Sequence, residues 1–172
     1  MKITLFMAMS LNGMIAGTDG NEDFLSAENW KSFSELAEQH GCFIAGRKSY
    51  EIVQEWPDYN YGTIDARLKI IVSQNTDLKL ERPFVRAASP KDAIEKALAE
   101  NFSSAILVGG SLINSSFMAE NLVDEVVLNI EPAIIGKGIP VFAEKEFERR
   151  LSLVDVTKIN DGILQVRCEV RK

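Results

Sequence analysis

Two stretches of the chain set glycine between an apolar run and a helix-like run, and each offers chemistry for an anion. The first is Cys42-Phe43-Ile44-Ala45-Gly46-Arg47-Lys48-Ser49-Tyr50-Glu51. Cations in the first turn of a helix oppose its dipole, so Arg47 and Lys48 are poor choices for stability alone. They suit a bound anion: the Arg47 guanidinium can fork onto a phosphate, and Ser49 can add a hydroxyl. The plainer reading is a solvated basic turn. The second stretch is Ala105-Ile106-Leu107-Val108-Gly109-Gly110-Ser111-Leu112. Without a Cβ, Gly109 and Gly110 let the backbone come close to a ligand. The free N–H groups of the helical turn opening at Ser111 would then face an anion. Alone, this pattern fits a tight connector equally well. Two such turns in one chain, one of them basic, point to a ligand with more than one phosphate.

Composition narrows the setting. The chain has 172 residues and a net charge of −6, enough for one domain with a buried core. The acidic balance argues against a nucleic-acid or anionic-membrane binder, which needs a broad basic face. Phosphate must then be held by local groups. Cys42 and Cys168 each sit in an apolar strand pattern, so buried reduced thiols are expected rather than a disulfide or a metal site. His40 is the only histidine, which disfavours a His-built metal cluster or a Ser-His-Asp triad. No signal-peptide pattern or apolar run of membrane length is present, and a cytoplasmic location is the default expectation.

The elements that must position these turns can be read from the periodicity. Ile3 to Met9 is nearly all apolar and reads as a strand covered on both faces. Leu11 to Glu22, rich in Gly and Asn, is expected as a long loop. Ser26 to Gln39 predicts a helix with Trp30, Phe33, Leu36 and Ala37 along one stripe. A strand over 42–45 and a helix over 47–55 follow, the helix carrying Tyr50, Val53 and Trp56 on one face. Tyr59 to Gly62 breaks the chain before an apolar strand at Leu68 to Val72. Ser89 and Pro90 form an N-cap and N1 pair for a helix facing inward through Ala93, Ile94, Ala97 and Leu98. Strand 105–108, helix 111–119 and strand 123–130 complete the alternation, and Glu131 to Gly138 ends it. Gly136-x-Gly138 is no dinucleotide fingerprint, because Val141 stands where the third glycine belongs and a strand-like Pro140-Val141-Phe142 replaces the helix. Val154-x-Val156, then Leu164, Val166, Cys168 and Val170, alternate with polar residues. That is the mark of an antiparallel pair with one wet face, joined at Asn160-Asp161-Gly162. The expected class is α/β: a single domain over 1–172, with a largely parallel central sheet flanked by helices and an antiparallel C-terminal hairpin.

Five segments in this order carry a resemblance. They are Ala8-Met9-Ser10-Leu11-Asn12-Gly13-Met14-Ile15-Ala16, Gly46-Arg47-Lys48-Ser49-Tyr50-Glu51, Val108-Gly109-Gly110-Ser111-Leu112, Leu122-Val123-Asp124-Glu125 and Pro132-x-x-x-Gly136-x-Gly138-x-Pro140-x-Phe142. Together they resemble the dihydrofolate reductase-like fold, and within it the C-terminal reductase domain of the bifunctional riboflavin-biosynthesis deaminase-reductase and its stand-alone relatives. The resemblance spans essentially the whole chain and implies NADPH lying across the sheet. Backbone at Ala8 and around Ile15 and Ala16 would meet the nicotinamide carboxamide. Arg47, with Lys48 beside it, would face the 2′-phosphate. Ser49 and the turn Gly109-Gly110-Ser111-Leu112 would hold the pyrophosphate beside Gly46, and Ser73 would lie near the adenosine end. Loop packing for Ile15 and Ala16, and a strand-end cap for Ser73, are the alternatives left open. The resemblance also implies a homodimer, in keeping with the open edges a C-terminal hairpin would leave.

Two positions depart from the family. Asn12-Gly13 stands where Asp-Gly is usual; Asn tolerates the same turn, but the charge is lost. The acid that protonates pterin in dihydrofolate reductases falls at or beside Asn29, and an amide cannot deliver that proton. Glu28, the other candidate for a catalytic role, lies about 100° round the helix and suits the helix dipole. Folate reduction is therefore disfavoured. The Cys and His ligands of a deaminase zinc site are absent. The expected activity is NADPH-dependent hydride transfer to a small heterocyclic or imine substrate. The ribosylamino-pyrimidine phosphate of riboflavin biosynthesis is the family's best-known case. A non-catalytic nucleotide-binding module and a dihydrofolate reductase are the alternatives.

Overall fold

The computed structural model of the protein describes residues 1–160 and 162–172. In chain order the strands are β1 (Lys2–Ser10), β2 (Met14–Gly17), β3 (Cys42–Gly46), β4 (Leu68–Val72), β5 (Phe84–Ala87), β6 (Ser104–Leu107), β7 (Glu125–Glu131), β8 (Gly138–Pro140), β9 (Leu151–Lys158) and β10 (Leu164–Val170). The helices are α1 (Ala27–His40), α2 (Arg47–Gln54), α3 (Pro90–Ala99) and α4 (Ser111–Ala119), and Tyr61–Thr63 makes one 3-10 turn. Eight strands form one sheet in the order β5-β4-β3-β6-β1-β7-β10-β9. All pairs from β5 to β7 are parallel, while β10 runs antiparallel to both β7 and β9. Strands β2 and β8 form a separate antiparallel ribbon.

The nearly continuous apolar run of β1 is explained by helices on both faces. Ile3 and Leu5 meet Phe117 and Met118 of α4 and Ala93 and Ala97 of α3 on one face. Phe6 meets Phe33 and Ala37 of α1 on the other, with Val53 of α2 in the same cluster. Strand β3 divides its side chains the same way, Cys42 and Ile44 to the first face and Phe43 and Ala45 to the second. With every parallel strand pointing one way, β1, β3, β4 and β6 end along one edge of the sheet. That edge is where open α/β sheets bind ligands.

The structure corrects several expectations. The stretch from Leu11 to Glu22 contains β2, because Ala16 and Gly17 pair with Ile139 and Gly138 of β8, a partner more than a hundred residues away. Strand β5 escaped notice because its four residues are only partly apolar and three of them are half-buried. Leu98 is 49% exposed, and α3 faces inward through Pro90, Ala93 and Ala97. Cys42 is buried, but Cys168 is only half-buried, since the apolar face of β10 is covered fully only at Val170. Asp161 lies outside the described residues. Around it, Asn160 Oδ1 accepts hydrogen bonds from the N–H groups of Gly162 (2.8 Å) and Ile163 (2.9 Å). Among the described residues no helix is long and apolar enough to cross a membrane.

Candidate functional site

The two glycine turns leave adjacent strands. β3 and β6 pair through Phe43–Ile106 and Ile44–Leu107, and beyond the ladder the Gly46 N–H donates to the Gly109 carbonyl at 2.6 Å. The N-termini of α2 and α4 are thereby brought to the same place, each with first-turn N–H groups that have no partner in their own helix. The Gly109–Gly110 peptide bond is cis, and Gly109 has φ +86°. A Cβ at Gly109 would fall 2.8 Å from Met7 Sδ, and one at Gly110 would fall 2.9 Å from Ser49 Oγ. Ser111 Oγ is buried at the head of α4 with no hydrogen-bond partner. Opposite it, Arg47 forks onto its own helix, with Nη1 2.8 and 2.7 Å from the Glu51 carboxylate oxygens.

These turns open onto a cleft of about 1260 Å³. Ala8, Ile15, Ala16, Gly46, Arg47, Lys48, Ser49, Ser73, Gly110, Ser111 and Leu112 all line it; Gly109 sits behind Gly110 and does not. Ile15 and Ala16 are buried, in keeping with the packing alternative left open for them. Ser73 Oγ accepts from the Asn75 N–H at 3.0 Å, which is the strand-end cap, while its residue still faces the cleft. The first loop is tied down by Asn12: its Oδ1 accepts from the Ile135 N–H (3.1 Å) and its Nδ2 donates to the Ile135 carbonyl (2.8 Å). Aspartate could not make the second bond, so the departure from Asp-Gly has a local reason.

The other half of the cleft is aromatic. Trp30 of α1 lies parallel to Tyr61 (6.0 Å, 13°), with Tyr59 at 5.3 Å and Trp56 at 6.5 Å from it. Tyr61 is held by Lys69 of β4, a buried lysine whose Nζ donates to the carbonyls of Tyr61 (2.7 Å) and Gly62 (3.1 Å). Burial lowers the Lys69 ammonium from its ordinary value, against the pull of Asp65. Glu22 lines this half, and burial pushes its carboxyl up to about 7. Its charge, added to burial, raises the Tyr61 phenol.

Asn29 reaches the cleft, but both ends of its amide are occupied. Nδ2 donates to Glu131 Oε1 at 2.6 Å, and Oδ1 accepts from Asn129 Nδ2 at 3.0 Å. The same Glu131 oxygen accepts from Ser26 N–H (2.9 Å) and Ser26 Oγ (2.6 Å). This buried network fastens the head of α1 to the end of β7. Glu28 is exposed in the first turn of α1 and does not line the cleft. Sequence reading missed Glu22, Glu131 and the aromatic wall. Trp30 was legible as helix stripe and Tyr59 to Gly62 as a chain break, but only the fold makes them neighbours.

The RibD C-terminal domain family matches residues 1–165, and the chain belongs to that family. The uncharacterized protein YwjB of Bacillus subtilis (strain 168) is 28% identical over 166 residues, 94% of each chain. A putative riboflavin biosynthesis protein from Shewanella sp. PV-4 superposes with a TM-score of 0.78 at 23% identity, covering 100% of both chains. The Thermotoga maritima diaminohydroxyphosphoribosylaminopyrimidine deaminase/5-amino-6-(5-phosphoribosylamino)uracil reductase gives 0.76 at 16% identity, over 99% of this chain and 56% of that one. At these identities the structural likeness is one of fold, and the fold is that of reductase domains with the dihydrofolate reductase-like architecture.

Proposed function

We propose that the protein is an NADPH-dependent reductase acting on a small heterocyclic or imine substrate, and that it works as a homodimer. The observation that carries the reading is the meeting of the two glycine turns, with Ser111 Oγ buried and unpartnered between them. The residues present fit a dinucleotide phosphate. Helix N-termini at Arg47 and Ser111 offer N–H donors, Ser49 and Ser111 add hydroxyls, and Arg47 and Lys48 supply the charge an extra phosphate needs. When bound, the nicotinamide supplies the hydride. The chain's own part is to hold the phosphates, pack Ile15, Ala16 and Ala8 against the reacting end, and exclude water with the aromatic wall.

Titration with NADPH and NADH, read by fluorescence of the reduced nicotinamide, tests this. Saturable binding with NADPH the tighter ligand is expected, followed by nicotinamide oxidation with an imine or heterocycle panel. Failure of both cofactors to bind would overturn the reading, and tight binding without oxidation would leave a non-catalytic module. Family membership makes the phosphorylated ribosylamino-pyrimidine the first substrate to try. The chemistry of the aromatic half argues for a different member of the heterocycle class.

A further inference from the structure

We propose that the aromatic half of the cleft takes a planar nitrogen heterocycle that carries no phosphate, with Glu22 as the catalytic residue that hydrogen-bonds and protonates its reacting nitrogen. The inference rests on the reductase reading for the neighbouring half. It starts from a division of charge. The cations that line the cleft are Arg47 and Lys48 at the head of α2 and Lys145 beside Ser116 of α4. From residues 20–33 and 52–61, which build the aromatic half, no Lys, Arg or His lines the cleft. The charged side chains there are Glu22, Asp23 and Asp58. A phosphate ester carries about −1.5 to −2 charges and is recognised by Arg or Lys forks. In this half the charged side chains it would meet are all carboxylates.

What the half does offer is ring faces and one acid. Trp30, Tyr59 and Trp56 are half-buried, leaving aromatic surface open to the cleft beside the buried Tyr61. A planar heterocycle can stack on or pack edge-on against such surfaces. Glu22 lines the same part of the cleft as Tyr61, Tyr59 and Trp30. The titratable groups sharing this space are Tyr61 from the 3-10 turn, Asp58 and Tyr59 from the segment before the turn, and Asp23 from the loop of Glu22 itself. Helix α1 turns no charged side chain into it. A carboxyl ionising near neutrality can donate to a ring or imine nitrogen and be recharged from solvent. In the balanced step, a bound reduced nicotinamide would supply hydride to the carbon of a C=N bond, the π pair passing to nitrogen. The Glu22 O–H bond breaks to give that nitrogen its proton. NADP⁺ leaves, and water reprotonates Glu22. This is the acid that Asn29, with its amide tied to Glu131 and Asn129, cannot supply.

The test uses quenching of the two tryptophans, Trp30 and Trp56, in cofactor-free protein. The probes are pterin, and a ribosylamino-pyrimidine with and without its 5′-phosphate. The unphosphorylated rings are expected to bind, the phosphate to weaken binding at least roughly tenfold, and wild-type affinity for them to fall between about pH 6 and 8 as Glu22 ionises. Glu22→Gln, which keeps the shape, should flatten that pH profile, with Glu22→Ala as a second variant and thermal melts confirming that both fold. Equal or tighter binding of the phosphorylated probe, an unchanged profile in Glu22→Gln, or no quenching by either unphosphorylated ring would overturn the proposal. NADPH affinity, read separately from nicotinamide fluorescence, should be unchanged in Glu22→Gln. If NADPH fails to bind while the heterocycle preference holds, the reductase reading falls and the pocket assignment stands.

Discussion

In the free protein the Arg47 guanidinium is held by Glu51 one helical turn away, with the Arg47 side chain about one-third exposed. An exposed pair of this spacing is worth only about 0.3–0.5 kcal/mol, whereas hydrogen bonds to a charged phosphate contribute roughly 1.5–3 kcal/mol. In the proposed complex a phosphate would win that competition, leaving Glu51 as the counter-ion of the free protein. Arg47→Ala should lose on the order of tenfold or more in NADPH affinity and little in NADH affinity. Glu51→Gln should raise NADPH affinity about twofold. Equal losses for both cofactors in Arg47→Ala would sink the 2′-phosphate assignment. Arg47 was legible in the sequence because a cation at a helix start is a local anomaly. Glu22 was not, because its altered acidity arises from burial against elements remote in the chain.

At the scale of elements, the site depends on two connections that the sequence shows unequally. The β6–α4 turn announces itself by two glycines, and Gly110 has a φ of −74°, which residues with a Cβ adopt freely, so Gly110→Ala should fold. Its new Cβ would sit 2.9 Å from Ser49 Oγ, turning that hydroxyl away from the place proposed for the phosphate. Calorimetric titration should show weakened NADPH binding with an unchanged melting temperature; normal binding would reduce the turn to a connector. The second connection is hidden. Lys69 reads as a polar intruder in an apolar strand, yet it is 2% exposed and clips the turn that presents Tyr61. Lys69→Met would leave two carbonyls short of a donor, at a cost of about 1–3 kcal/mol. A lower urea midpoint and weaker ring binding, with NADPH affinity retained, are expected; an unchanged midpoint would show the clip to be idle. The long helices and buried strands were readable because their periodicity is local. β2 and β5 were not, and β8 was read as strand-like residues 140–142 rather than Gly138–Pro140, because short strands are defined by their partners.

For the whole molecule the outer end of the sheet is the surface that invites a partner. Among the described residues β9 pairs with β10 alone, so its far edge is open. Its side chains are strongly exposed: Leu153 at 65%, Val154 at 52% and Val156 at 47%, with Leu164 of β10 at 41%. In register, Val166 lies opposite Val156 and Leu128, and Cys168 opposite Leu153 and Val126. One apolar face therefore runs from the core outward, ending in water. An exposed apolar face on an edge hairpin invites association, and a second copy meeting it about a two-fold axis covers both surfaces at once. Such an interface needs about 800 Å² from each partner to be stable. Sedimentation equilibrium should give twice the chain mass at micromolar concentration. Leu153→Glu would set two carboxylates into the shared face and should yield a folded monomer that still binds NADPH, since β9 is the edge strand, four strands from β6 and five from β3, which carry the glycine turns. A wild-type protein that sediments as a monomer at every concentration would defeat the dimer. A Leu153→Glu protein that remains dimeric would place the interface elsewhere.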